Sequence, residues 1–129
     1  MTLPEPHILR YTRWLRETRG LDFDATTNAG YDRMWRWSCD DLAAFWQSIW
    51  DHFGVRSTVT PGPALADPRM PVARWFPGAG LNYAEHALSM PGRSPEDVVI
   101  VARSQTRDAI ELSADQLRES ASAALREQR

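Results

Sequence analysis

Leu42, Phe45, Trp46, Ile49, Trp50 and Phe53 recur at i, i+3, i+4, i+7, i+8 and i+11, and Gly54 follows them. That spacing places six large apolar side chains on one stripe of a helix, with glycine as its stop. Ser38 reads as the N-cap of this helix. Asp40 and Asp41 then fall in its first turn, where negative charge suits the helix dipole. Two tryptophans on one stripe demand a wide partner surface, so any fold for this chain must cover that face or present it to something else.

The segments before it supply part of a cover. Residues 5 to 19 read as a first helix, with Ile8, Tyr11 and Leu15 on one side, Trp14 beside Tyr11, and Gly20 as the stop. Arg10, Arg13, Arg16 and Arg19 step by three and drift around that helix. They read as a solvated face, paired in part through Arg13 and Glu17, and not as a nucleic-acid surface. Leu21 and Phe23 lead into a polar loop from Asp24 to Gly30. Tyr31, Met34 and Trp35 then share a helical face, with Trp37 next to them.

The composition changes after the tryptophan helix. Pro61, Gly62, Pro63, Pro68 and Pro71 make residues 57 to 73 an extended strap that regular structure cannot use. Trp75-Phe76-Pro77-Gly78 follows as an aromatic anchor and a sharp turn. Asn82 caps a short helix with Glu85 in the capping-box position, and Pro91-Gly92 ends it. This stretch reads as a docking segment.

Asp97-Val98-Val99-Ile100-Val101-Ala102 holds four consecutive β-branched apolar residues, the pattern of a strand buried on both faces. Ala109 to Leu112 alternates and pairs with it as a hairpin. Ser113 caps a last helix, with Gln116 in the capping-box position and Leu117, Ala121, Ala124 and Leu125 on a light apolar face. A two-stranded sheet with a doubly apolar strand cannot cover itself. Residues 93–129 therefore read as the first piece of an α/β domain whose remainder lies elsewhere. The expected class is α+β: a predominantly helical cap over 1–56, a proline-rich strap and docking motif over 57–92, and over 93–129 a β-hairpin and helix that begin an incomplete α/β domain.

Composition removes several function classes. A net charge of −2 gives no electrostatic footprint for nucleic acid or membrane, and no apolar run reaches the about 18 residues needed to span a bilayer. Cys39 is the single cysteine, so no internal disulfide forms, and the expected compartment is a reducing cytoplasm. Met1 to Pro6 lacks the pattern of a signal peptide. All fifteen basic residues are arginine.

Trp35-Arg36-Trp37-Ser38, Asp41-Leu42, Phe45-Trp46, Ile49-Trp50, Trp75-Phe76-Pro77-Gly78 and Leu81-Asn82-Tyr83-Ala84-Glu85 together resemble the N-terminal region of acetoacetyl-CoA synthetases, in the adenylate-forming acyl-CoA synthetase superfamily. The related acetyl-CoA synthetases typically continue their Leu-Asn segment into Asn-Cys-Leu-Asp-Arg-His, which does not follow Asn82 here. The resemblance implies a two-step ligase using ATP, CoA and Mg²⁺, in which a carboxylate becomes an acyl-adenylate and CoA then displaces AMP. It implies a helical cap and strap on a large adenylation domain, with residues 97–128 opening that domain. The expected partner is the remainder of that domain, on the same or a separate chain, and self-association through exposed apolar surface is a further expectation.

The family's phosphate loop is Ser/Thr/Gly-rich and ends near a lysine, and a second lysine stabilises the adenylation transition state. This chain has no lysine, and its glycines at 20, 30, 54, 62, 78, 80 and 92 do not cluster. No catalytic, cofactor-binding or metal residue is therefore assigned, and the chain alone is expected to be inactive and to bind none of these cofactors. Other candidates have plainer readings. Cys39, at the first helical position, has the acidic neighbours Asp40 and Asp41 and no nucleophile context. Glu85 and His86 are helix neighbours pointing about 100° apart, so Glu85 reads as a capping residue. His7, His52 and His86 lack ligand spacing. The tryptophans read as packing, and Asn82 as a cap or loop fastener.

Overall fold

Leu15 is fully buried, and the N-terminal half of the chain is assembled around it. In this computed structural model the described residues are 5–127. Residues 1–4 and 128–129 and the side chains of Leu125 and Glu127 lie outside them, and with them the readings placed on Met1–Pro4 and Leu125. The chain divides into two units, Met1–Leu81 and Asn82–Arg129. Among the described residues there are five helices and two small antiparallel sheets, the expected helix-rich α+β class.

Helix α1 spans His7–Arg19 and ends at Gly20, whose φ of 68° suits glycine. The Gly20 N–H donates to Arg16 O at 3.2 Å and the Leu21 N–H to Leu15 O at 3.3 Å, satisfying carbonyls that the helix end leaves open. Tyr11, Leu15, Phe23 and Met34 form the core, with Ile8, Trp14, Leu21, Trp37, Phe45 and Ile49 packed around it. Arg13 pairs with Glu5, not with Glu17 as the helical spacing suggested.

Helix α2 covers Asn28–Asp40, capped by Thr27, whose Oγ1 accepts the Gly30 N–H at 3.1 Å. Two expectations are corrected here. Ser38 does not open the tryptophan helix: it lies inside α2 and its hydroxyl donates to Trp35 O at 2.7 Å. The break falls at Asp41, whose Oδ1 accepts the Ala44 N–H at 3.0 Å and so caps α3, Leu42–His52. On α2, Met34 and Trp37 meet the core, whereas Tyr31 and Trp35 are exposed.

α3 turns toward α1 the face bearing Phe45, Ser48, Ile49 and His52, rotated away from the centre of the apolar stripe. Ser48, a fully buried polar residue, accounts for this. Its hydroxyl donates to Phe45 O at 2.6 Å and accepts from the Tyr11 hydroxyl, also at 2.6 Å. Two buried hydroxyls thus satisfy each other across α1 and α3. Burial raises the Tyr11 hydroxyl's pKa, against the opposing pull of this bond and of Arg19.

The strap also departs from expectation, because regular structure does use it. β1 (Leu65–Asp67) pairs antiparallel with β2 (Arg74–Trp75), with a register shift after Leu65. Further bonds continue the line of contact: Phe76 N–H to Ala64 O at 3.2 Å, Gly62 N–H to Pro77 O at 2.9 Å, and Thr58 N–H to Gly80 O at 3.0 Å. The prolines lie outside both strands, which is where residues without an N–H donor can sit.

In the second unit Asn82 caps α4 (Tyr83–Ser89), its Oδ1 accepting the Glu85 N–H at 3.2 Å. β3 (Val98–Ala102) and β4 (Ile110–Ser113) form the expected hairpin, with a bulge between Val98 and Ile100. α5 (Ala114–Glu127) follows through a reciprocal capping box. The Ser113 N–H donates to Gln116 Oε1 at 2.9 Å, and the Gln116 N–H to Ser113 Oγ at 3.3 Å.

Candidate docking site

In the first unit the docking segment closes on the outer side of α3. The Trp50 and Phe76 rings stack with centroids 4.4 Å apart, and Trp46 meets Trp75 edge-on at 6.0 Å. The backbone aims both rings. Phe76 has a φ of 39° and Gly78 a φ of 83°, and the Ala79 N–H returns to Phe76 O at 3.0 Å. Ser57 Oγ accepts the Gly80 N–H at 3.1 Å and ties the far end of the turn to the strap.

Trp46, Trp75 and Phe76 line an open apolar recess of about 420 Å³. Trp46 is 42% exposed, Phe53 58% and Leu42 39%, so the outer half of the α3 stripe is left uncovered. The second unit has a corresponding feature. Val98, Val101 and Ile110 are each about half exposed, so the strand expected to be buried on both faces lies open. Such apolar surface marks an interaction face.

His52, a histidine without metal-ligand spacing in the sequence, stands in an aromatic cage. Its ring meets Tyr11 at 5.1 Å, Trp14 at 5.2 Å and Phe53 at 4.9 Å, all edge-on. Its Nδ1 is buried with no hydrogen-bond partner. Burial lowers the imidazole pKa from 6.5, and Arg10 and His7 lower it further. The folded state therefore favours neutral His52, and the unfolded chain binds its proton first as pH falls. This stability contribution is complete above the unfolded value near 6.5 and is lost as pH drops through it toward the folded value. Thermal unfolding followed by tryptophan fluorescence between roughly pH 7.5 and 5 should show a falling midpoint, and His52→Phe should flatten that dependence. An unchanged slope in the variant would assign the effect to other groups.

The remaining sequence candidates are not brought together. Cys39 is exposed in the last turn of α2, so the helix-start context does not exist. His7 bonds Arg10 at 2.7 Å, while Glu85 and His86 lie on α4. Among the described residues no group of three or more His, Cys, Asp or Glu could hold a metal ion.

The glycines do not fit a phosphate cradle, because each is committed locally. Gly20, Gly54, Gly78 and Gly92 have positive φ at helix ends and turns. Gly30, Gly62 and Gly80 pack against Asp24, Pro77 and Thr58. A cradle needs successive free N–H groups converging on one point, and these residues do not provide it.

Residues 31–87 match the family described as acetyl-coenzyme A synthetase N-terminus. An acetoacetyl-coenzyme A synthetase of Rhizobium meliloti (strain 1021) is 32% identical over 111 residues, covering 86% of this chain and 16% of that protein. The solved structure of acetoacetyl-CoA synthetase from Streptomyces lividans matches with a TM-score of 0.75 and 36% identity, over 92% of this chain and 18% of that one. The chain thus spans less than a fifth of the length of either relative.

Proposed function

We propose that this chain, which is similar in sequence and in fold to the N-terminal region of acetoacetyl-CoA synthetases, supplies the docking cap of an ATP-dependent acetoacetate–CoA ligase. The whole enzyme would join the acid to CoA through an acyl-adenylate, releasing AMP and pyrophosphate. ATP, CoA and Mg²⁺ would be held by the remainder of that enzyme. The partner would be the remaining adenylation domain.

The observation that carries this reading is the open hairpin. β3 is an apolar β-branched strand with, among the described strands, only β4 beside it, and about half of Val98 and Val101 lies exposed. A larger sheet covers such a strand. The uncovered half of the α3 stripe adds a second contact face.

ATP–pyrophosphate exchange with acetoacetate tests both parts. This chain alone should give no exchange. A separately expressed acetoacetyl-CoA synthetase body lacking its own N-terminal region should regain exchange when this chain is added. Turnover by the chain alone would refute its inactivity, and no recovery together with no binding would refute the docking role. A second reading, a free-standing helical module docking through Leu42, Trp46 and Phe53, is favoured by the recess at Trp46. It predicts docking onto a separately encoded synthetase body or onto a second copy of this chain, read by size exclusion and cross-linking; a well-ordered monomer with no partner would count against it.

A further inference from the structure

We draw no further inference here: the strongest candidate, the open apolar recess that Trp46, Trp75 and Phe76 line on the outer side of α3, belongs to the docking face already described, and nothing in the structure shows what covers it.

Discussion

Leu15→Ala should unfold a large share of the N-terminal unit. Leu15 is fully buried among Tyr11, Phe23 and Met34, where α1 meets the rest of that unit. Truncating such a leucine costs about 2–5 kcal/mol, from lost transfer energy plus the cavity left behind. Among the described residues of that unit only Tyr11, Leu15, Phe23, Met34 and Ala64 are buried apolar residues, so little else can compensate. A unit of this size has total stability on the order of 4–12 kcal/mol. Urea unfolding followed by tryptophan fluorescence should show the midpoint falling sharply at unchanged slope, whereas Leu15→Met should cost less than about 1.5 kcal/mol. Equal midpoints for Leu15→Ala and wild type would mean that α1 does not organise this core.

Gly30→Ala should be nearly as damaging, and its sign makes it informative. Helix propensity alone would make alanine better than glycine here by about 1 kcal/mol. The Gly30 backbone, however, lies against Asp24. A Cβ at residue 30 would overlap the Asp24 carbonyl oxygen and stand 2.6 Å from its carbon. The Asp24 loop cannot easily yield. Its carbonyl accepts the Thr27 N–H at 3.2 Å and the Thr27 hydroxyl at 3.1 Å. Its carboxylate accepts the Thr26 hydroxyl at 2.5 Å and the Thr26 N–H at 3.0 Å, bonds that hold its pKa below the ordinary value. Relieving the clash would also pull Gly30 from its Thr27 cap. Overpacking plus a lost cap comes to roughly 2–4 kcal/mol of destabilisation. Thermal unfolding decides the matter: a variant at or above the wild-type midpoint would mean that propensity outweighs the contact.

The sequence was most legible where a signal is local. Gly20 stops α1, Asn82 caps α4, and Ser113 with Gln116 opens α5, because each device is complete within a few residues. The hairpin followed from one apolar run and its alternating partner. The start of α3 was misplaced for an equally local reason. Ser38 and Asp41 both satisfy the capping preference, and helical periodicity continues across the break between them. The backbone at Asp41, with φ −125° and ψ 71°, decides between the two. The Tyr11–Ser48 bond spans 37 positions and depends on how α1 meets α3, which no local pattern encodes. One hint was present: Ser48 stands three residues after Phe45, beside Ile49, where a polar residue must find a partner once buried. His52 was hidden in the same way, since its cage comes from two helices.

Phe76 holds its ring on Trp50 at a backbone φ of 39°. For a residue with a Cβ that conformation costs about 1–2 kcal/mol, and an aromatic contact returns about 0.5–1.5 kcal/mol beyond its burial. Glycine would relax the chain but forfeit the ring, and asparagine would tolerate the backbone but forfeit the stack. Every other aromatic keeps both the contact and the strain. No member of the natural alphabet satisfies the two demands together, so the position is a standing compromise. Drift there would be confined by shape alone, and invariance at this residue among relatives would not be a sign of chemistry.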